Sequence, residues 1–264
     1  MNLQTISSRA ISSQTISSQT ISNQSIAGKI ARLPLSLIPR EAVVPILRGR
    51  LRGRRWIVGS AIHRCWLGFY EFKKQALISS MVRPGTIFYD VGANVGFYSL
   101  LAAALVGPEG QVFAFEPLPR NLAYLRKHLE LNRVSNVEIL ELAIAEQNGI
   151  ASFIREPSGF MGRLSDTGGL PVAVATLDSL LEKGRLVPPH SIKMDIEGAE
   201  LLALRGAATC IQQYRPLIFL ATHGRDVHTA CCNLLKSWDY ECTEFGAATA
   251  DGLGEIVARP SRSR

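Results

Sequence analysis

The stretch Phe88-Tyr89-Asp90-Val91-Gly92-Ala93-Asn94-Val95-Gly96-Phe97-Tyr98-Ser99 limits what this chain can fold into more than any other, because an apolar strand runs directly into a glycine turn that opens a helix. α/β proteins hold nucleotides at such junctions. Gly92 and Gly96 remove Cβ atoms where the backbone must bend and approach a ligand, and Asn94 is placed to cap the helix whose amides then face the pocket. Gly-x-x-x-Gly alone is weak evidence. It gains from Val112-Phe113-Ala114-Phe115-Glu116, a second apolar strand ending in an acid about 20 residues beyond the glycines, the separation a ribose-binding carboxylate needs. Together these predict a nucleoside cofactor.

The turn itself selects among such cofactors. A dinucleotide site ordinarily reads Gly-x-Gly-x-x-Gly so that a pyrophosphate lies on the helix amides, whereas this chain reads Asp90-x-Gly92-Ala93-Asn94-x-Gly96. An acid in front of the turn repels a pyrophosphate, but accepts from the ammonium of an amino-acid moiety or favours a nearby cation. That suits S-adenosylmethionine, a sulfonium with a zwitterionic tail. Asp90, Gly92, Ala93, Asn94 and Gly96 are then expected around the methionine end, with Glu116 on both ribose hydroxyls before Pro117 turns the chain. Adenine is expected at the end of the third strand, near Glu141, Leu142 and Ala143.

Methyl transfer is an in-line displacement, so a protein mainly aligns the nucleophile and removes its proton. Ligands of open α/β sheets bind beyond the carboxyl ends of the strands, where Asp195 closes the fourth strand. Asp195 is therefore the first catalytic candidate, as proton acceptor, hydroxyl holder or metal ligand. Glu197 and Glu200 follow at the opening of the next helix, where carboxylates also favour the helix dipole. His223 ends the fifth strand at the same sheet edge, and a pKa near neutrality suits a general base. No metal site is expected: Mg²⁺ would suit the oxygen ligands but is not favoured, because no Asp-Asn pair follows Asp195 as in catechol-type enzymes.

The chain resembles the FkbM-type S-adenosylmethionine-dependent methyltransferases. The resemblance spans roughly Trp66 to His223 and lies in residues 88–96, Ala114-Phe115-Glu116-Pro117, Thr176-Leu177-Asp178 and, most specifically, Ile192-Lys193-Met194-Asp195-Ile196-Glu197-Gly198-Ala199-Glu200. It implies O-methylation of a hydroxyl on a sugar, glycolipid or secondary metabolite. Trp66-Leu67-Gly68-Phe69-Tyr70-Glu71 matches a further family pattern, which places Glu71 above the cofactor or substrate or, equally, in solvent. Related chains often carry an acid two residues before the histidine. Here that position is Ala221, so the acid-histidine pairing is expected to be lost.

Residues 4–28 are five imperfect copies of a five-residue unit, with Ile6, Ile11, Ile16, Ile21 and Ile26 at period five. That period fits neither helix nor strand, and residues 1–28 are read as a disordered low-complexity tail. Residues 29–80 are expected to form a helical, basic extension that lids the site, and residues 81–264 the cofactor-binding domain. From there strand and helix alternate, the pattern of a largely parallel sheet covered on both faces. Strands are placed at 86–91, 111–116, 137–142, 191–195 and 217–222, and helices at 94–105, 119–132, 198–205 and 226–237, with Pro119 as an N1 residue. Segments 151–155 and 172–176 are expected to pair as an antiparallel insertion, and 240–245 with 255–259 as a final antiparallel pair. The expected fold is thus α/β, a Rossmann-like seven-stranded methyltransferase sheet, mostly parallel with an antiparallel C-terminal strand and helices on both faces.

The net charge of +7 is concentrated around Arg48, Arg50, Arg52, Arg54 and Arg55, a cluster suited to anionic surfaces or an acidic substrate, with sequence-specific nucleic-acid binding disfavoured. No apolar run is long enough to span a bilayer and no signal-peptide pattern opens the chain, so a cytoplasmic protein is expected. Five cysteines without a C-x-x-C pair indicate neither a disulfide framework nor a zinc site. Two other functions remain open on these residues: a nicotinamide-dependent oxidoreductase, and a non-catalytic membrane-surface adaptor using the arginines.

Overall fold

The computed structural model describes residues 35, 37–155, 162–165, 169–245 and 253–261. The chain divides into two units, residues 1–38 and 39–264. The pentapeptide repeat and the expected turn at 246–252 lie outside the described residues.

In the second unit, five parallel strands build the centre of the sheet: β3 (Ile87–Val91), β4 (Gln111–Phe115), β5 (Val137–Leu140), β10 (Ser191–Met194) and β11 (Leu217–His223). Two more, β12 (Tyr240–Glu244) and β13 (Leu253–Pro260), complete the order β12-β13-β11-β10-β3-β4-β5, with β13 antiparallel to β11 and to β12. The chain winds outward from β3 through β4 to β5, then returns to β10 on the other side of β3. The order therefore reverses between β3 and β10, which opens a crevice at their carboxyl ends. No helix among the described residues is long and apolar enough to cross a membrane.

Strand alternation divides the sheet into two unlike faces. Tyr89, Val91, Phe113, Phe115, Ile192, Met194, Ile218 and Leu220 share one apolar cluster with residues of α5 (Leu177–Glu182), α6 (Glu200–Arg205), α7 (Ala208–Tyr214) and α8 (Arg225–Ser237). The alternate positions include two buried charges, Asp90 and Lys193, and this face meets α3 (Phe97–Val106) through Ser99. The Thr-Leu-Asp segment is a staple between helices. Thr176 Oγ1 caps α5 through the amide of Ser179, while Asp178 accepts from the amides of Thr209 and Cys210 at the start of α7.

The sequence reading departs from the structure in several places, among them the helices α5 and α7, which it did not include. Residues 43–57, expected to be helical, hold a short hairpin of β1 (Val43–Pro45) and β2 (Arg55–Ile57), because β-branched and aromatic residues flank a turn in which Gly49 and Gly53 adopt positive φ. A short 3₁₀ turn at Val58–Ser60 and the helices α1 (His63–Leu67) and α2 (Phe72–Met81) follow. Asn94 does not cap α3: the N-cap is Gly96, and Asn94 sits in the left-handed region at φ 50°. The third strand ends at Leu140, and β6 (Ala143–Ile144) joins a separate sheet of order β6-β9-β7-β8, with β7 at Gly149–Arg155, β8 at Gly162–Ser165 and β9 at Leu170–Ala175. The antiparallel pairing of β7 with β9 was expected. Pro119 opens α4 (Pro119–Leu131) as read from the sequence.

Candidate active site

The glycine turn bridges the two strands that border the crevice. A Cβ on Gly92, whose φ is 79°, would lie 2.1 Å from the Asp195 carbonyl oxygen, so only glycine lets β3 pass this close to the end of β10. A Cβ on Gly96 would stand 2.5 Å from Leu125 Cδ1. The amides of Gly92 and Ala93 donate to the Phe115 carbonyl at 3.1 and 2.9 Å, which straps the turn to β4.

Glu116 follows at the end of β4. Its Oε2 accepts the Asn94 amide at 2.9 Å, and its Oε1 accepts the Leu118 amide at 2.8 Å and Asn121 Nδ2 at 3.4 Å. Burial pushes its pKa up to about 7, and the Leu118 and Asn94 amides only partly offset this.

A cavity of about 360 Å³ opens over these groups. Gly92, Ala93, Asn94, Glu116, Pro117 and Ala143, all anticipated from the sequence, line it together with Asp195 and Glu197. Four anticipated residues stand elsewhere. Asp90 is fully buried beneath the turn, where its Oδ2 accepts from Ser99 Oγ at 2.7 Å and its Oδ1 lies 3.2 Å from Lys193 Nζ. The cation that Asp90 was expected to favour is thus a residue of the chain itself. Gly96 shapes the turn from behind, and Leu142 packs against the core beneath the sheet. Glu141 is exposed and paired with Arg126. The apolar wall comes instead from Leu118, Ile144 and Phe153, the last carried in by β7. Ala61, Ile62, Cys65 and Tyr70 close the cavity from the N-terminal segment.

Lys193 was quoted in the sequence motif without a role. Its Nζ donates to the Gly92 carbonyl at 2.8 Å, so a strand lysine holds the glycine turn from below while its charge is balanced by Asp90. A charged residue inside an otherwise apolar strand was the available signal.

Beside the glycine turn Asp195 and Glu197, which line the cavity, converge with His223, which stands behind them and outside the lining. His223 Nε2 lies 3.3 Å from Glu197 Oε2 and 3.8 Å from Asp195 Oδ1, while Nδ1 lies 2.8 Å from Glu200 Oε1. The expected loss of the acid-histidine pair is overturned: Glu200, fully buried on α6, supplies the acid, and also accepts from the amides of Ile196 and Gly198. Glu197 sits in the left-handed region at φ 56°, an uncommon conformation for a non-glycine residue. Burial works against the His223 charge, but the Glu200 hydrogen bond and the Asp195 and Glu197 carboxylates outweigh it and raise the pKa to about 9. The ring is therefore an imidazolium at neutral pH, unlike the near-neutral base expected from the sequence.

Asp195 is held from the other side by Lys74, a residue the sequence reading passed over. Lys74, on α2, is 1% exposed, and its Nζ lies 2.9 Å from Glu71 Oε2, 3.3 Å from Asp195 Oδ2 and 2.8 Å from Glu255 Oε1. Glu71 also accepts from the Tyr98 hydroxyl at 2.6 Å, so it reaches the site through this network. Glu255 stands across from Ala221 in the β11–β13 register, so the neighbouring strand brings a carboxylate to the level of the residue where an acid was missing. Burial would raise the Asp195 pKa, yet Lys74, Lys193 and His223 outweigh it and hold the carboxyl well below the usual range. Asp195, Glu197 and His223 offer ligand atoms within 4.8 Å of one another, which a hard divalent ion could use. Lys74 already places a positive charge on Asp195.

The sequence family described as the methyltransferase FkbM domain matches residues 90–242. Among characterised relatives, the hexuronic acid methyltransferase AglP of Haloferax volcanii is 29% identical over 128 residues, covering 48% of this chain and 52% of its own length. The 31-O-demethyl-FK506 methyltransferase FkbM of Streptomyces tacrolimicus is 26% identical over 159 residues, 47% of this chain and 60% of its own. This chain therefore spans only about half to three fifths of the length of these relatives. Among solved structures, a candidate rRNA methylase of Clostridium thermocellum superposes with a TM-score of 0.50 at 14% identity, over 73% of this chain and 96% of that one, a likeness of fold alone.

Proposed function

Because this chain belongs to the FkbM methyltransferase domain family, we propose that it transfers a methyl group from S-adenosylmethionine to a hydroxyl oxygen of a sugar, glycolipid or secondary metabolite. The observation that carries this reading is the shared cavity: the glycine turn, the carboxylate at the end of β4, and Asp195 and Glu197 beyond the end of β10 all line it. In this proposal Glu116 accepts the ribose hydroxyls and Asn94 and Pro117 border the ribose. Leu118, Ala143, Ile144 and Phe153 enclose adenine, and the Gly92–Gly96 turn, braced by Lys193, receives the methionine end. The bound cofactor supplies a methyl carbon on a sulfonium.

The residues beyond the end of β10 orient the acceptor. Asp195, kept ionised by Lys74, accepts a hydrogen bond from the acceptor hydroxyl and fixes its approach. His223 takes the hydroxyl proton on Nε2 in its neutral form, while Glu200 holds Nδ1 and so selects the tautomer. Glu197 stabilises the imidazolium that results.

Calorimetric titration with S-adenosylhomocysteine tests the cofactor half. Glu116→Ala is expected to weaken binding about 100-fold, because two charge-assisted hydrogen bonds are lost. The wild-type affinity should rise with pH up to about 7, since the hydroxyls need the ionised acid. Equal affinity in both proteins would remove Glu116 from the site, and binding of NAD with none of S-adenosylhomocysteine would overturn the cofactor assignment. Repeating the titration with EDTA and with Mg²⁺ reads any metal contribution at Asp195.

A further inference from the structure

Methyl transfer leaves the charge distribution unused. Residues 40–75 carry nine Lys and Arg against two Glu, a surplus as large as the net charge of +7 on the whole chain, while residues 76–264 carry 17 against 20. The positive charge is thus a property of the segment that closes the cavity, and the sheet behind it is slightly acidic.

The structure gathers that charge with apolar side chains. Arg48, Arg50, Arg52 and Arg55 are exposed in and beside the turn of the β1–β2 hairpin. The turn packs on the end of α1: the Leu47 amide donates to the Trp66 carbonyl at 2.9 Å, and the Arg48 guanidinium lies 5.2 Å from the Phe69 ring centroid. Leu47 is 48% exposed, Phe69 45% and Phe72 62%, although each belongs to a type that ordinarily seeks the core. In the same segment Ile62 both lines the cavity and is half exposed, so the cavity wall and this surface share a residue.

Arginines interleaved with exposed aromatic and aliphatic tips suit an anionic membrane interface, where cations meet headgroup phosphates and apolar tips enter the acyl boundary. A single-stranded nucleic acid would need open ring faces for base stacking, and the Phe69 face is already covered by Arg48. We propose that this face docks on an anionic lipid bilayer through Arg48, Arg50 and Arg52, with Leu47, Phe69 and Phe72 inserted. Docking holds the wall of the cavity at Ile62 near the headgroups and favours an acceptor hydroxyl borne on a lipid. That consequence rests on the methyl-transfer reading, whereas docking itself does not.

Flotation of the full chain with vesicles tests it. Phosphatidylcholine vesicles containing about one third phosphatidylglycerol should carry the protein, pure phosphatidylcholine vesicles should not, and added salt should release it. Each cation near such a surface strengthens binding about fivefold, so R48Q/R50Q/R52Q should weaken partition about 100-fold. F69S/F72S should weaken it as well, and both variants should keep the thermal unfolding and S-adenosylhomocysteine affinity of the wild type. Absence of binding to anionic vesicles at low salt would overturn the proposal. So would binding that F69S/F72S leaves unchanged and that single-stranded RNA reproduces, which would mark a general polyanion surface. Flotation requires neither cofactor nor acceptor, so its failure leaves the methyl-transfer reading standing.

Discussion

Replacing His223 with alanine is expected to lower kcat about 100- to 10,000-fold, the range for loss of a positioned general base, while S-adenosylhomocysteine binds as in the wild type. The measurement is steady-state methyl transfer to an acceptor found by screening glycosides and lipid-linked sugars. Its pH profile carries the assignment: with the pKa at about 9, the neutral imidazole is the minor form at pH 7, so the rate should climb as pH approaches 9. Glu200→Gln removes the largest of the influences that raise that pKa, so the rising limb should move to lower pH while the maximal rate falls with the loss of the fixed tautomer. A wild-type profile flat between pH 7 and 9 would sink the role given to His223.

The same ion pairs predict a stability signature with a definite sign. The folded-state pKa lies above the ordinary histidine value of 6.5, so the contribution of His223 is fully present below about pH 6.5 and is lost as pH rises through about 9. Melting temperature should therefore decline over that interval in the wild type and decline less in His223→Ala. This readout needs no acceptor.

Lys74→Met is expected to destabilise the protein by about 3 to 5 kcal/mol near neutral pH, the cost of leaving buried charges without their partner. Lys74 is 1% exposed and serves three carboxylates whose side chains are only 18–29% exposed, so neither water nor another ammonium readily takes its place. Burial opposes the Lys74 charge, yet Asp195, Glu71 and Glu255 outweigh it and raise its pKa, so the group is an ammonium throughout the working range. Urea unfolding should show a deficit that shrinks as pH is lowered toward 5, because the stranded carboxylates then take up protons. A loss below about 1 kcal/mol, or one independent of pH, would show that the three acids do not depend on Lys74. Catalysis should suffer beyond stability, since α2 and Asp195 lose their link.

Where the fold was legible, it was legible in strands and turns. Phe88–Val91, Val112–Phe115, Ile192–Met194 and Leu217–Thr222 are runs apolar but for Asp90, Lys193 and Thr222, and each is a strand within a residue or two of its expected limits. Gly92 and Glu116 could be assigned from spacing because the chain between them is one helix and one strand, whose lengths fix where the second carboxylate ends up. Residues 43–57 were misread because five arginines obscure the glycines that turn the hairpin. Leu142 was placed by the adenine because the third strand was carried two residues past Leu140, whereas the chain leaves the sheet there and enters β6, whose Ala143 and Ile144 line the cavity.

Local sequence determined the order of strands and helices, the glycine turn and the carboxylate that faces it, since each depends on side-chain size and period within a few neighbouring residues. Tertiary structure decided which charges meet. Lys74 reaches Asp195 across 121 positions, Lys193 reaches Asp90 across 103, and Phe153 enters the cavity from a separate sheet. The pKa of His223 is set by three acids from a loop and a helix that fold against β11. Such pairings have no signature in sequence spacing, because buried charges are partnered in space, and the low dielectric of the interior makes the partner rather than the residue type decide the protonation state.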